Sequence, residues 1–231
     1  MPKKNYTMKK INLLIVSIAL IFSSCTDTAT YKTPETEMEK VSYSLGVNMA
    51  SSVKQQGLDS IDANSVAKAF TDVFEGNDLD ISEEESMTIL QDFFGKMQAE
   101  KSAKANEAGN AYLAENGDKE GVITTESGLQ YEVITSGDGA KPTTDDQVTV
   151  HYHGMLTDGT VFDSSVDRGQ PATFGVTKVI KGWTEALQLM SVGDKWKLTI
   201  PSGLAYGDQG AGGMIGPGAT LVFEVELIGI N

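Results

Sequence analysis

The sequence predicts an α+β protein with a helical N-terminal region, residues 36–118, followed by a strand-rich domain, residues 119–231. Two patterns predict this division. In the first region large apolar residues recur every three or four positions behind three capping signals, which is typical of amphipathic helices. In the second region apolar and polar residues alternate, which is typical of half-buried strands, and one short stretch has helical spacing. A run of strands with one helix favours a sheet that packs on that helix.

The first 24 residues predict a signal peptide rather than a part of the fold. Four lysines among the first ten residues precede an apolar run at residues 13–22, which is too short to span a bilayer. Small residues then lead to Cys25, the only cysteine of the chain, so no intramolecular disulfide can form.

Cys25 has two interpretations. It is either an incidental residue that is lost with the signal peptide, or the lipidated N-terminus of a mature bacterial lipoprotein. Residues 22–25, Phe-Ser-Ser-Cys, resemble a lipoprotein cleavage motif, and we favour lipidation. The acyl chains would then hold the protein on a membrane of the bacterial envelope, on the periplasmic side or at the cell surface, without a spanning helix. Residues 25–35 are polar and lack apolar periodicity, so they are expected to form a flexible tether.

The chain is acidic, with 18 basic residues, 32 acidic residues and a net charge of −14. Because four of the basic residues lie in the predicted signal peptide, the mature chain would keep 14 of them and carry a net charge of −18. Nucleic-acid binding requires basic surface to meet phosphate, so the composition argues against it. The sequence has no basic stripe either, and a lipid anchor is the only membrane contact that it supports.

Three capping signals mark the starts of three helices. Thr36 with Glu39 and Ser82 with Glu85 have the spacing of capping boxes, and Asp62 can cap the helix between them. A glycine follows each of the first two helices and favours its end there. Large apolar residues at helical spacing give each helix one apolar face: Val41, Leu45, Met49 and Val53; Val66, Phe70, Val73 and Phe74; Leu90, Phe93, Phe94 and Met97.

The third helix is expected to run from Ser82 to about Asn116. Beyond Met97 it has good helix formers but few large apolar residues, and a helix that is polar all round usually bridges solvent. We therefore expect its second half to be a solvent-exposed stalk. The short apolar faces of this region bury little within one chain, so self-association into a homodimer is predicted. A monomeric helical spacer is the alternative.

The C-terminal domain is expected to contain five strands and one helix. Asp158-Gly159 is a hairpin signal between the second and third strands. Period two puts Tyr152 on one face of the second strand and both His151 and His153 on the other. The strands are predicted at residues 128–134, 148–156, 160–163, 195–200 and 221–230, and the helix at residues 182–190.

Six ordered blocks between about Gly128 and Ile230 resemble the FKBP-type peptidyl-prolyl cis-trans isomerases. They read SGLQY, VHYHGMLTDGTVFDSS, RGQPATF, KVIKGWTEALQLMSVGDK, IPSGLAYG and ATLVFEVELIGI. The resemblance implies an antiparallel half-barrel wrapped around the helix, with a pocket between the two. Residues 36–116, which include VSYSLGVNMASSVKQQGLD, resemble the N-terminal dimerisation region of the macrophage infectivity potentiator subgroup, which implies a homodimer formed through the N-terminal helices.

The implied reaction is rotation about an Xaa-Pro amide bond. Its barrier is roughly 18–20 kcal/mol because rotation breaks the partial double bond between carbon and nitrogen. Rotation requires no nucleophile, metal or cofactor. It is helped by a dry apolar pocket that binds the twisted amide more tightly than the planar one. The expected substrates are proline-containing polypeptides that are unfolded or still folding after export.

The resemblance assigns roles to ten residues. Trp183 would form the floor beneath the proline ring, Asp163 and the Tyr206 hydroxyl would contact ligand carbonyls, and Ile180 would offer its backbone amide. Trp183 and Phe223 could instead be ordinary core residues, and Asp163 could be a turn acid. The catalytic set is Tyr152, Phe162, Asp163, Tyr206 and Phe223, and the substrate-binding set is Val179, Ile180, Trp183, Met214 and Ile215, of which the last two lie in a glycine-rich flap.

Parts of the sequence are also compatible with two other functions. The pair His151 and His153 could bind a metal, but no third ligand is identifiable from the sequence, so no metal site is predicted. A chaperone or binding module with a weak or vestigial isomerase pocket is the main alternative. Three positions, Ala172, Ala211 and Gly216, depart from larger groups or a proline that the family often has, and they predict a more open pocket rim, which bears on macrolide affinity more than on catalysis.

Overall fold

The computed structural model describes residues 32–231, so the predicted signal peptide, Cys25 and most of the predicted tether lie outside the described residues. The chain divides into two compact units, one ending at Asn77 and one comprising Asp78–Asn231. These are the N-terminal unit and the C-terminal unit. Among residues 32–231, every helix is too short or too polar to cross a bilayer.

The N-terminal unit consists of α1, Glu37–Gln55, and α2, Ala63–Glu75. Both predicted caps are confirmed: the Thr36 side chain accepts from the backbone N–H of Glu39 in a complete capping box, and Asp62 caps α2. Within residues 32–77, Asp72 is the only buried residue. The apolar faces of both helices therefore lack cover from their own unit.

The C-terminal unit begins with α3, Glu83–Gly117, a helix of 35 residues. Seven antiparallel strands and a second helix follow. In chain order these are β1 Val122–Thr124, β2 Gln130–Thr135, β3 Gln147–Leu156, β4 Val161–Ser164, β5 Ala172–Gly175, α4 Lys181–Leu189, β6 Lys195–Ile200 and β7 Leu221–Ile230.

The seven strands form one sheet in the order β1-β2-β6-β7-β3-β4, with β5 paired to β3. The predicted α+β class is therefore confirmed, with helices first and an antiparallel sheet after them. Two of these strands, β1 and β5, were not predicted from the sequence. These strands have three and four residues, and such lengths are too short to establish a period-two pattern.

The core of the C-terminal unit lies between α4 and the sheet. Along β3 every second residue is buried, beginning with Val148 and Val150, as the alternation predicts. Ala186, Leu187 and Met190, from α4 and its end, belong to the same buried cluster. Because the sheet uses its inner face to cover α4, side chains near both elements can line a shared cavity.

The second half of α3 is not the exposed stalk that its polarity predicts. Ser102, Gly109 and Asn116 are buried at intervals of seven residues. A Cβ at Gly109 would lie 2.3 Å from Thr220 Oγ1, so the helix backbone closely approaches the sheet's loops. The expectation was wrong here because small and polar residues dock this helix by close approach and hydrogen bonding, which hydropathy does not reveal.

Candidate active site

A cavity of about 400 Å³ opens between α4, the β3–β4 hairpin and the end of the sheet. Eight of the ten predicted site residues line it, together with Phe174 and Lys178, which the sequence analysis did not single out. The predicted residues that line it are Tyr152, Phe162, Asp163, Val179, Ile180, Trp183, Tyr206 and Phe223.

Trp183 is 4% exposed and is surrounded by three other rings. Its ring centroid lies 5.4 Å from that of Tyr152, 6.0 Å from that of Phe174 and 5.3 Å from that of Phe223, all edge-to-face. Edge-to-face contacts of this kind hold aromatic rings in fixed orientations. Trp183 is therefore a core residue that also lines the cavity, so the two interpretations of this tryptophan are compatible.

Phe162 and Phe223 form another wall of the cavity, with an edge-to-face centroid distance of 5.5 Å. Both rings pack over Gly154 of β3. A Cβ at this position would lie 2.7 Å from Phe223 Cε1 and 2.8 Å from Phe162 Cζ. Glycine within a strand often marks such a close approach, and here it leaves the space that the two rings occupy.

Tyr152, Asp163 and Arg168 form a hydrogen-bonded group at the cavity. The Tyr152 hydroxyl donates to Asp163 Oδ2 over 2.5 Å. Arg168 Nη2 donates to the Tyr152 oxygen over 2.8 Å, and Nη1 donates to Asp163 Oδ1. The guanidinium also lies over the Tyr152 ring, 5.6 Å from its centroid. Arg168 was not predicted from the sequence, because it lies in a turn five residues beyond Asp163 and only the fold places its side chain against Tyr152 and Asp163.

This group shifts the acidity of its members. Burial by itself would raise the pKa of the Asp163 carboxyl, but the hydrogen bonds from Tyr152 and Arg168 and the nearby positive charge hold that pKa below its usual range. Burial and the hydrogen bond to Asp163 raise the pKa of the Tyr152 phenol. The cavity therefore contains a phenol that stays neutral beside a carboxylate that stays ionised.

Two polar groups at the cavity remain available to a ligand. Ile180 is the N-cap of α4, and its carbonyl accepts from the N–H groups of Trp183 and Thr184 at 3.0 Å. Within residues 32–231 no backbone carbonyl accepts from the Ile180 N–H. Tyr206 is 41% exposed, and its hydroxyl makes no side-chain hydrogen bond to any described residue.

The flap residues are placed differently from the other eight. Met214 is 51% exposed and Ile215 is 8% exposed and packed into the core, and neither is among the residues that line the cavity. Ile215 exchanges backbone hydrogen bonds of 2.8 and 3.0 Å with Ala211, which close the tip of the glycine-rich loop.

His151 and His153 lie on the opposite face of β3 from Tyr152, outside the cavity lining. Their Nδ1 atoms lie 3.1 Å from Ser165 Oγ and 2.9 Å from Ser164 Oγ. In the part of the chain that the structure describes, no group of three or more His, Cys, Asp or Glu side chains is arranged to hold a metal ion.

Comparisons with known proteins cover both regions of the chain. The family model described as FKBP-type peptidyl-prolyl cis-trans isomerase matches residues 138–228. A second model, described as the domain amino terminal to FKBP-type peptidyl-prolyl isomerase, matches residues 38–133.

Several relatives match nearly the whole chain. The outer membrane protein MIP of Legionella longbeachae is 42% identical over 231 residues, which cover 97% of this chain and 98% of that protein. The FKBP-type 22 kDa peptidyl-prolyl cis-trans isomerase of Escherichia coli is 46% identical, over 88% of this chain and 98% of that protein. The crystal structure of FkpA from Escherichia coli aligns with a TM-score of 0.64 and 34% identity, over 86% of this chain and 99% of that one. The chain therefore belongs to the FKBP-type peptidyl-prolyl cis-trans isomerase family, as its six sequence blocks predict.

Proposed function

We propose that the protein rotates Xaa-Pro bonds of polypeptides in the bacterial envelope, in the cavity lined by Trp183. The observation that carries this proposal is the cavity's composition. Six aromatic rings, those of Tyr152, Phe162, Phe174, Trp183, Tyr206 and Phe223, line a space with one lysine and one carboxylate, and Arg168 pairs with that carboxylate. Such a site offers a proline ring an environment of mainly aromatic and aliphatic side chains.

The proposed mechanism is differential binding of the twisted amide. The planar amide is stabilised by delocalisation that makes its oxygen and nitrogen strongly polar, whereas the twisted amide has lost that delocalisation. An apolar cavity therefore disfavours the planar form relative to the twisted one. Every step is a rotation about an existing bond, so no atom or electron pair has to be exchanged with the protein.

Two polar groups would hold the peptide while the bond rotates. The free N–H of Ile180 and the hydroxyl of Tyr206 are suited to donate to carbonyl oxygens on either side of the proline. Tyr152 has another role, because its hydroxyl already donates a hydrogen bond to Asp163. We assign Tyr152 and Arg168 to fixing the Asp163 carboxylate, and Met214 and Ile215 to a flap that a longer peptide would contact.

The test compares wild-type protein, residues 26–231, with Phe162→Ala combined with Asp163→Ala, by following cis-to-trans conversion of a short Xaa-Pro peptide. We expect the double variant to lose about tenfold or more in kcat/KM, since about 1.4 kcal/mol of transition-state binding corresponds to tenfold. The matched control is Val166→Ala with Asp167→Ala, an adjacent apolar and acidic pair that lies outside the cavity. Lack of acceleration by the wild-type chain would reject the isomerase activity and favour the chaperone alternative.

We also propose that the N-terminal helices form a homodimer. Exposed apolar residues support this, because Val41, Leu45 and Met49, which share one face of α1, are 46%, 53% and 48% exposed, and α1 has no buried residue. Apolar faces of this extent usually mark an interface. Leu45→Glu should convert the protein to a monomer in sedimentation equilibrium, whereas Ser51→Glu, on the same helix, should not. A monomeric wild-type protein would contradict the dimer and support the helical spacer.

The proposed domain division is a signal peptide over residues 1–24, a tether over residues 25–35, a helical dimerisation region over residues 36–118 and an isomerase domain over residues 119–231.

Lipidation of Cys25 would anchor the mature chain to an envelope membrane. Similarity to a protein named as an outer membrane protein supports this location. Cells that express the full chain should incorporate labelled palmitate into it, and Cys25→Ser should abolish the label. Incorporation that survives Cys25→Ser would reject the assignment.

A further inference from the structure

The loop that carries Tyr206, residues 201–220, joins β6 to β7 and is called the Tyr206 loop here. It has no strand pairing apart from the small Ala211–Ile215 bridge, and two 3₁₀ turns, Ser202–Leu204 and Gly207–Gln209, flank Tyr206. A loop of about 20 residues in a compact unit is usually functional, and it requires contacts from other elements to keep one conformation. Apolar residues of the loop pack against the core, and the side-chain hydrogen bonds to the loop come from α3.

A chain of three hydrogen bonds runs between α3 and the two turns that flank Tyr206. The Ser202 hydroxyl donates to Asn106 Oδ1 over 2.6 Å, and Asn106 Nδ2 donates to Ser102 Oγ over 3.1 Å. The Ser102 hydroxyl then donates to Asp208 Oδ1 over 2.5 Å. All donors point the same way and the chain ends on a carboxylate, so each bond polarises and strengthens the next.

Two further contacts fix the same loop on the same helix. Gln98 Nε2 donates to the Asp208 carbonyl oxygen over 2.7 Å. At the other end of the loop, Gly218 packs so closely that a Cβ there would lie 2.5 Å from the Ser102 carbonyl oxygen. Ser102, which is 4% exposed, therefore contacts the loop both before and after its flap.

We propose that Ser102 and Asn106 of α3 are positioning residues for the isomerase site, because they hold the Tyr206 loop in the conformation that presents the Tyr206 hydroxyl to the cavity. Tyr206 lies four positions after Ser202 and two positions before Asp208, so the hydrogen-bonded residues flank it on both sides. The proposal extends the proposed function to a helix outside the cavity. The expected loss of isomerase activity rests on the proposed function, whereas the expected change in the conformation of the Tyr206 loop does not.

The alternative is that these hydrogen bonds between α3 and the Tyr206 loop only stabilise the fold. Loss of a contact that only stabilises would lower the thermal midpoint and leave the activity of the folded fraction unchanged. A positioning contact would change the activity of fully folded protein, because a displacement on the order of 1 Å can cost about 10²-fold in rate. The stabilising role and the positioning role can therefore be distinguished when activity is measured at a temperature well below the unfolding transition.

The experiment uses residues 26–231 and the variants Asn106→Ala, Asp208→Ala and Asp208→Asn, with Asn110→Ala as the control. Asn110 lies one turn from Asn106 on α3 and is exposed. Asp208→Asn keeps an Oδ1 acceptor for Ser102 and keeps the backbone carbonyl that Gln98 contacts. Each variant is assayed on an Xaa-Pro peptide at a temperature where circular dichroism reports complete folding, and ¹³C-labelled tyrosine spectra follow the Tyr206 ring, assigned with Tyr206→Phe.

We expect Asn106→Ala and Asp208→Ala to lose about 5- to 50-fold in kcat/KM, within the range that a misplaced group produces, and to shift the Tyr206 resonance. Asp208→Asn should recover most of the loss, and Asn110→Ala should match the wild type. Wild-type activity and an unshifted Tyr206 resonance in Asn106→Ala would overturn the proposal, as would an equal loss in Asn110→Ala. If the wild-type chain were inactive, the proposed function would fail, and the tyrosine spectra alone would still decide the positioning role.

Discussion

The Tyr152 hydroxyl lies 2.5 Å from Asp163 Oδ2 and donates a hydrogen bond to that carboxylate. Arg168 donates to both residues, so the three side chains form a closed group of one cation, one anion and one neutral phenol. The group contributes a fixed acceptor and no net charge to the cavity, whose other lining side chains are aromatic or aliphatic apart from Lys178. Its protonation therefore controls the electrostatics that a bound proline amide would meet.

The first prediction concerns the acidity of Asp163. Because hydrogen bonds from Tyr152 and Arg168 lower its pKa in the folded state, Tyr152→Phe should raise that pKa. The stabilisation from this carboxylate is present above the unfolded-state pKa of about 3.9 and is lost as the pH falls through the lower folded-state pKa. Titration of ¹³C-labelled aspartate checks this by NMR. An unchanged or lower pKa for Asp163 in Tyr152→Phe would contradict the assignment of the hydrogen bond.

The second prediction concerns Gly154. Replacing it by alanine inserts a methyl group within 3 Å of both Phe162 and Phe223, so these rings must move into the cavity or the strand must shift. Overpacking of this kind costs about 1–3 kcal/mol in the free energy of unfolding. We expect that loss in urea denaturation, together with reduced isomerase activity in the protein that remains folded. Gly229→Ala is the matched control, because a Cβ there meets no atom within 4 Å.

The third prediction separates the two roles of Trp183. Its indole Nε1 has no hydrogen-bond partner among residues 32–231, so Trp183→Phe removes ring surface without breaking a protein hydrogen bond. Trp183→Ala should cost about 3–5 kcal/mol of stability, as large-to-small changes at buried aromatic positions do. Trp183→Phe should cost less stability but still raise KM, because the cavity floor recedes. Equal KM values for wild type and Trp183→Phe would leave Trp183 with a core role only.

The fourth prediction concerns the contact between α3 and the Tyr206 loop. Alanine is a better helix former than glycine by about 1 kcal/mol, so Gly109→Ala would stabilise an isolated α3. In the folded protein a Cβ there would lie 2.3 Å from Thr220 Oγ1, so we expect the variant to be less stable than the wild type. Thr220→Ala removes that oxygen and should restore part of the loss. Thermal denaturation of the single and double variants measures both effects, and a stabilised Gly109→Ala would show that α3 does not dock at this point.

Much of the fold follows from local patterns. The caps of α1 and α2 and the alternation along β3 are encoded in neighbouring residues, and the structure has them where the sequence predicts them. By contrast, the prediction that separate sequence motifs line one cavity depended on the resemblance to a known family. Spacing alone does not state that Phe223, near the end of the chain, lies 5.5 Å from Phe162.

The features that were missed depend on contacts between distant segments. Arg168 reaches Tyr152 across 16 residues, and Ser102 reaches Asp208 across 106. Neither an arginine in a turn nor a serine on a polar helix differs locally from an ordinary surface residue. The docking of α3 was likewise hidden, because its buried positions are occupied by serine, glycine and asparagine rather than by large apolar residues.

The small residues along α3 also affect how readily this helix detaches from the sheet. Ser102, Gly109 and Asn116 cover little apolar area, so detaching the helix from the sheet would expose mainly groups that water can solvate. Detachment is thus a local opening with a lower free energy than unfolding of the core between α4 and the sheet. In hydrogen-exchange experiments, amides of the Tyr206 loop should exchange before those of β3 and β7. The rate of that exchange would report how often the tyrosine is released from its support while the rest of the domain stays folded.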